Sequence, residues 1–241
     1  MKMIDVHCHI LPAVDDGAES LDESRRMLEI AYKEGIRTIF ATSHYHSEMK
    51  DDVWKRKKEA LMQTRAEAEK ISANLRIVPG AEVFYSEKAV EELAEGRIWT
   101  MNGSSYVLTE FAPYEEYSYI KRGLQNLQYH GFWPILAHAE RYEELADQQR
   151  VAELVSMGVF IQINAGSVLG KNGRQIKKYV LKLLKSRQVH FIGTDAHGSR
   201  HRRPLMEKCA AYIKRKTDEQ YCRMICQENA RKIIRREYID E

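Results

Sequence analysis

Two histidines separated by a single residue, His7 and His9, stand in the apolar N-terminal stretch DVHCHI. If this stretch is a strand, side chains alternate, so His7 and His9 share a face with Asp5 while Cys8 points the other way. A single buried imidazole is ordinarily a hydrogen-bonded core residue, but two on one face are costly to satisfy. The same residue types recur where later apolar runs end. His44 and His46 follow the second run, Glu82 follows the third, Glu110 ends the fourth and His138 the fifth, Asn164 ends the sixth, and Asp195 and His197 close the seventh. Any one of these alone is unremarkable, as is an isolated HxH pair. Brought to one place they could not pack as neutral core, because repulsion and desolvation would require cations between them. Imidazole and carboxylate donors without thiolate suit manganese, iron or zinc, and several ions rather than one.

The elements that must position these residues follow from period and punctuation. Short apolar runs fall at 3–10, 37–43, 75–80, 105–111, 133–138, 159–165 and 189–195. Helical patterns lie between them. Ser20 can cap a helix through LDESRRMLEIAYKE that Gly35 ends. Others are expected at about 51–73, from YIKRGLQNLQYH to Gly131, at roughly 142–157 and at 174–187, and the last forty residues read as helices. Seven βα units without a linker predict one α/β domain built as a closed or nearly closed parallel barrel, with a doubly wound open sheet as the topological alternative. In such barrels the carboxyl ends of the strands converge on one mouth, where chemistry sits.

Composition bounds the rest. The chain has 241 residues, 44% hydrophobic and 30% charged, with a formal net charge of +3, which is ordinary for a soluble globular protein. That charge gives no argument for nucleic acid, and the run KRKK (55–58) reads as a solvated helix face. No apolar stretch reaches the length of a membrane span and the N-terminus lacks the form of a signal peptide, so a cytoplasmic setting without membrane insertion is expected. Cys8, Cys209, Cys222 and Cys226 form no CxxC, and reduced, mostly buried thiols are expected.

The segments DVHCHILPAVDDG, ATSHYH, PGAEV, LTEF, AHAERY and TDAH resemble, in order, the motifs of the polymerase and histidinol phosphatase (PHP) superfamily. More closely, the chain resembles the bacterial tyrosine-protein phosphatases associated with capsule and exopolysaccharide systems (CpsB/YwqE-like). The likeness runs over nearly the full length. It implies a distorted (β/α)7 TIM-like barrel, residues 1–241 as a single metal-dependent phosphatase domain, and three divalent ions, with manganese ahead of iron or zinc. It implies metal ligands at His7, His9, Asp16, His44, Glu82, Glu110, His138, Asp195 and His197, with Glu82 bridging two ions. Asp15 competes with Asp16, the second acid being favoured by the family pattern. His46 falls outside the ligand positions and reads as a neighbour of the ligands, and His130, His190 and His201 read as surface or structural residues. The phosphate-binding arginines map to Arg141 and, by spacing from Asp195, to Arg202, with Arg200 and Arg203 as competitors.

The implied reaction is hydrolysis of a phosphoester by metal-activated hydroxide, since a bound cation brings the pKa of water from about 15.7 to about 7. A tyrosine leaving group, with a pKa near 10, departs with less help than a serine alkoxide needs. The implied substrate is a phosphotyrosine protein, a cognate bacterial tyrosine kinase in capsule or exopolysaccharide control. The alternatives are a phosphatase of histidinol phosphate or a sugar phosphate, a metal-containing binding module without turnover, and a nuclease, which the near-neutral charge disfavours. CAAYIKR (209–215) fits the bare C-x5-R pattern of cysteine-dependent phosphatases. It lacks glycine and lies inside a helical run, so Cys209 reads as inert. YEEYSYIKR (114–122), directly after Glu110, reads as packing or surface loop, with a substrate rim as the sharper alternative.

Overall fold

Parallel pairing organises the chain around a curled sheet. In the computed structural model, which describes residues 1–49 and 51–240, β1 (Met3–Cys8) pairs with β2 (Ile36–Ala41), and β2 with β4 (Arg76–Pro79). A second run of pairing joins β3 (His44–Tyr45), β5 (Glu82–Phe84), β6 (Tyr106–Glu110), β7 (Trp133–Leu136), β8 (Phe160–Asn164) and β9 (Phe191–Gly193). All seven expected strand positions are occupied, two of them interrupted. The second strand breaks after Ala41 and the third after Pro79, which lie opposite each other. Beyond the break β5 turns to pair with β6. Pro79 has no N–H to extend the ladder, and the Gly80 and Glu82 amides instead donate to the Ala41 and Thr42 carbonyls at 3.1 and 3.3 Å.

The ring closes just beyond the last strand. Asp195 N donates to His7 O at 2.7 Å and His9 N to Ala196 O at 2.9 Å. Sequential order and this closure give one mixed α/β domain with a distorted barrel and exclude the doubly wound sheet, whose strand order would reverse. The barrel interior is filled by Ile4, Val6, Phe40, Tyr106, Leu108, Ile135, Phe160 and Phe191. A second apolar layer lies between the strands and the surrounding helices.

The helices begin where side chains can replace missing backbone acceptors. Ser20 caps α1 (Leu21–Lys33), accepting from Glu23 N, and Gly35 follows with φ +85°. The long α2 (Asp51–Ile71) comes next, and Ser86 caps α3 (Glu87–Ala94). After α4 (Tyr117–Tyr129), Asp147 caps α5 (Gln148–Ser156), with α6 (Ala165–Leu169) and α7 (Arg174–Lys185) behind it. The C-terminal part is helical as expected, with α8 (Glu207–Lys216), α9 (Glu219–Arg223), capped by Asp218, and α10 (Asn229–Arg235). Among the described residues no helix is long and apolar enough to cross a membrane.

Two expectations are corrected. Asp5 does not share its face with the histidines. Asp5 lies opposite Ile39 and Cys8 opposite Ala41, so β1 carries one residue more than β2 between these points. Such a bulge re-aims the side chains after it. The Asp5 carboxylate turns aside, accepting from Thr194 N at 2.9 Å and Thr194 Oγ1 at 2.5 Å. Within KRKK, Lys57 is buried rather than solvated. It lies on the α2 face that carries Trp54, Ala60 and Leu61, and its ammonium donates to the His44 carbonyl at 2.5 Å. Burial pushes its pKa down to about 8.

Candidate metal centre

The bulge and the strand break bring the first three histidines inward, and His7 and His9 approach with their Nε2 atoms 3.2 Å apart. Gly193 on β9 makes room, since a Cβ there would lie 2.5 Å from His7 Cβ. Gly17 does the same for the first βα loop, where a Cβ would stand 2.2 Å from His9 O.

Glu82 sits at the centre. Its Oε2 lies 3.1 Å from His7 Nε2, 3.2 Å from His9 Nε2 and 3.1 Å from His44 Nδ1, and its Oε1 lies 2.8 Å from His138 Nε2. Glu110 stands 2.9 Å from His44 Nδ1 and 3.5 Å from His138 Nε2. Asp195 Oδ1 lies 3.6 Å from His7 Nε2 and from His197 Nδ1, and 3.7 Å from His9 Nε2. Asp16 Oδ1 lies 3.4 Å from both His44 Nε2 and His197 Nε2. All nine residues are therefore gathered at one mouth. Three groups each place one donor atom per residue within 4.8 Å of the others: His9, Asp16, His44 and His197; His7, His9 and Asp195; and His44, Glu82 and Glu110.

The two neighbouring aspartates part company. Asp15 turns its carboxylate outward from the cluster, accepting from His9 Nδ1 at 2.8 Å, His44 N at 3.1 Å and Gly17 N at 3.0 Å. It orients a histidine, whereas Asp16 faces the histidine pair directly. Gln162 plays a similar orienting part. Its Oε1 accepts from His138 N at 2.9 Å and lies 3.0 Å from His7 Nδ1. His197 Nδ1 lies 3.0 Å from the Asp195 carbonyl. An acceptor at Nδ1 favours the proton there, so His7, His9 and His197 turn Nε2 to the centre, the atom that carries the lone pair when the imidazole is neutral.

This donor set fits divalent cations. Nε2 atoms 3.2 Å apart need a positive charge between or beside them, a proton or a metal ion. Donor-to-donor separations of about 3.0–3.4 Å are the polyhedron edges that metal–ligand bonds near 2.1 Å produce. His44 Nδ1 is buried with two carboxylates at 2.9 and 3.1 Å, yet no hydrogen bond has the geometry to satisfy it.

Without cations the cluster holds protons. Burial pulls His9 down, but Asp15 and Glu82 outweigh it and lift its pKa to about 9. His44 rises to about 11 and His138 to about 9, because Glu110 and Glu82 overcome the burial of each. His197 falls to about 4 through burial beside His9 and Arg202. For Glu82, burial favours the neutral acid, yet His7, His138 and His44 hold its carboxyl well below the usual range.

Both expected arginines reach the cluster. Arg141 and Arg202 each place Nη2 2.7 Å from an Asp195 oxygen, on Oδ2 and Oδ1 respectively. Asn164 Nδ2 donates to the same Oδ2 at 2.8 Å. His138, Asp195 and Arg202 all have left-handed backbones, with φ 34°, 51° and 45°. Such conformations cost energy in non-glycine residues and concentrate at functional sites. His46 is exposed beside the cluster, its ring centroid 6.0 Å from that of His44. His130 and His201 are exposed, and His190 Nδ1 accepts from Ile161 N. Cys209 is buried within α8, where burial pushes its thiol pKa up, the reverse of an activated nucleophile. Tyr114 is exposed at the rim segment, while Tyr119 packs on Tyr85 and Phe111.

The spacing of motifs left Gln162, Lys57 and the orienting part of Asp15 unassigned. A glutamine in the middle of VFIQINA was the available signal, since a buried polar residue in an apolar strand needs a partner.

The family model described as "Capsular polysaccharide synthesis, CpsB/CapC" matches residues 3–235. The chain is 36% identical over 238 residues to tyrosine-protein phosphatase CpsB of Streptococcus pneumoniae, covering 96% of this chain and 98% of that one. It is 33% identical over 239 residues to tyrosine-protein phosphatase YwqE of Bacillus subtilis, covering 98% and 93%. A crystal structure from work on these two proteins, called unique metal-dependent tyrosine phosphatases, superposes with a TM-score of 0.89 at 31% identity, covering 99% of this chain and 96% of that one. The phosphotriesterase of Mycobacterium tuberculosis shares the fold at a TM-score of 0.61 and 11% identity, covering 98% and 95%. The chain belongs to the CpsB/CapC family of capsular polysaccharide synthesis.

Proposed function

We propose that the chain is a metal-dependent protein-tyrosine phosphatase, residues 1–241 acting as one catalytic domain. The observation that carries this reading is the meeting of two features at one carboxylate. Asp195 lies against the His7 and His9 donor pair and accepts from both Arg141 and Arg202. Cation-binding and phosphoryl-binding groups thus face the same space. The holders of three manganese-type divalent ions would be His7, His9, Asp16, His44, Glu82, Glu110, His138, Asp195 and His197. Bound ions would neutralise phosphoryl charge and acidify water.

The chain's own part is to bind and orient. A planar guanidinium offers paired N–H groups to two phosphoryl oxygens, so Arg141 and Arg202 would exchange Asp195 for substrate. Asp15, Gln162 and the Asp195 carbonyl hold the Nδ1 protons of His9, His7 and His197, keeping their Nε2 atoms free of protons. A phenolate leaves with little assistance, which favours phosphotyrosine over alkyl phosphates. The names of the relatives support a phosphotyrosine protein as substrate, and the family description supports a setting in capsular polysaccharide synthesis. A cognate bacterial tyrosine kinase in the cytoplasm, in control of capsule or exopolysaccharide synthesis, would be the partner.

The test compares a phosphotyrosine peptide and p-nitrophenyl phosphate with histidinol phosphate and sugar phosphates. Hydrolysis of the first pair, abolished by chelator, restored by Mn²⁺ and indifferent to Cys209→Ser, is the expected result. A higher kcat/KM on histidinol phosphate or a sugar phosphate than on any phosphotyrosine peptide would reject the assignment.

A further inference from the structure

Glu23 lies on α1, away from the metal donors, yet it reaches the loop that follows β9. Ser199 donates to it twice, N–H to Oε1 at 2.5 Å and Oγ to Oε2 at 3.0 Å. Arg26, one turn along, donates Nε to Oε2 at 2.9 Å and steers the carboxylate. Gly198 leaves room for this approach, since a Cβ there would lie 3.2 Å from Oε1. The loop so held is short and closed on itself, with His197 N donating to Arg202 O at 2.9 Å. It carries His197 toward Asp16 and Arg202 toward Asp195. It also borders a cavity of about 560 Å³ whose walls include Asp16, Arg26, Arg200 and Arg202.

Arg202 has φ 45° and its side chain is 43% exposed. A left-handed arginine persists only where its surroundings impose it, and Arg202 is held at its guanidinium by Asp195 and at its carbonyl by His197 N. Between the two residues of that backbone bond the loop is anchored to another element at Ser199, and what holds Ser199 is Glu23. The plainer role for an acid in the first turn of α1 is to complement the helix dipole. That role needs no partner on another element, whereas both carboxylate oxygens are bonded to a loop 176 residues away.

We infer that Glu23 is a positioning residue, which holds the 197–202 loop through Ser199 and so aims Arg202 at the phosphoryl group. This rests on reading the site as a phosphatase. The experiment uses the full metal-loaded chain with Glu23→Ala, Glu23→Gln, Arg202→Ala and the Glu23→Ala/Arg202→Ala pair. The readouts are KM and kcat on a phosphotyrosine peptide, binding of inorganic phosphate, and hydrogen exchange across 197–203. In Glu23→Ala, KM and the phosphate dissociation constant rise about tenfold while kcat changes less than about threefold. Glu23→Gln, which keeps an oxygen for Ser199, falls between it and the parent. The double variant binds phosphate no more weakly than Arg202→Ala alone, because the clamp acts through that arginine. Loop exchange accelerates in Glu23→Ala while exchange in the body of α1 does not. Additive losses in the double variant, or unchanged loop exchange, overturn the inference. Should Glu23→Ala not fold, Ser199→Ala removes one arm alone, and unchanged loop exchange and phosphate binding there overturn it equally. A parent chain that hydrolyses no phosphoester rejects the phosphatase reading, while phosphate binding and loop exchange still decide the part played by Glu23.

Discussion

The two ends of the same strands are built on opposite principles. At the carboxyl ends stand buried carboxylates and imidazoles whose mutual distances make sense around cations. At the amino ends stands an aromatic plug. Tyr106 packs on Trp133 and Phe160 with ring centroids 4.9 and 5.3 Å apart, and Trp133 packs on Tyr238 of the C-terminal tail at 4.9 Å. The Tyr106 hydroxyl accepts from Ile239 N at 2.8 Å and donates to Glu237 O at 3.2 Å, tying that tail across the base. The plug stabilises by area removed from water. The mouth gains nothing of the kind, and its charges cost stability unless ions or guanidinium groups offset them. One barrel therefore separates what holds it together from what it does.

The largest effect that tests this division is expected at Glu82, which touches four histidines. Glu82→Ala should cut kcat/KM by about 10⁴-fold or more, over 5 kcal/mol of transition-state stabilisation. Element analysis of the purified variant should find the bound metal diminished. Full metal content with full activity would break the contrast between the two ends. The matching change at the base is Phe160→Ala. It should lower the stability read from denaturant midpoints by about 3–5 kcal/mol. The kcat/KM of the folded fraction should stay within about twofold, since the cavity opens far from the cluster. A variant of normal stability and poor activity would show that the base shapes the mouth.

How far the sequence reaches differs between the ends as well. Eight of the nine donors were legible because each lies at or just past the end of an apolar run, a place the chain itself marks, whereas Asp16 sits in a loop and came from resemblance alone. The bulge in β1 was not legible, since an extra residue is defined only against the partner strand, and this misplaced Asp5. The burial of Lys57 escaped for the same reason, because the carbonyls that receive its ammonium come from His44 and Ser43 across a loop. The expectation that the second of the paired acids faces the cluster came from resemblance. Coordinates supply its physical cause, for Asp15 is engaged by His9 Nδ1 and two backbone amides. The breaks after Ala41 and Pro79 left a trace only in PG of PGAEV.

The smallest effect distinguishes the ends by pH. His190 stands at the foot of β9, where its Nδ1 accepts from Ile161 N at 3.0 Å and its ring meets Phe160 edge-on. An accepting Nδ1 carries no proton, and burial pushes the pKa down to about 4. The unfolded chain, with a histidine pKa near 6.5, therefore binds the proton more readily. The contribution of His190 is complete above about pH 6.5, is lost as pH falls toward 4, and amounts to about 2 kcal/mol after discounting for partial exposure. In the metal-free mouth His197, also held at about 4, acts in the same direction, but two other histidines there have the opposite sign. His9 and His138 are lifted to about 9 by their carboxylates, so their contribution is full below about pH 6.5 and lost as pH rises through 9. Ligation requires neutral imidazole and ionised carboxylate, so Mn²⁺ should flatten the alkaline limb of the stability profile and steepen the acid limb as protons displace it, and the His190 limb is read with chelator. His190→Gln, which keeps an acceptor for Ile161 and cannot titrate, should reduce the acid limb by the share of His190, leaving that of His197 and the carboxylates, and should not move the alkaline limb. Denaturant midpoints from pH 4 to 9.5, with chelator and with Mn²⁺, measure both limbs. An acid limb undiminished in His190→Gln would assign it wholly to His197 and the carboxylates of the mouth, and the base would then have no part in the pH response.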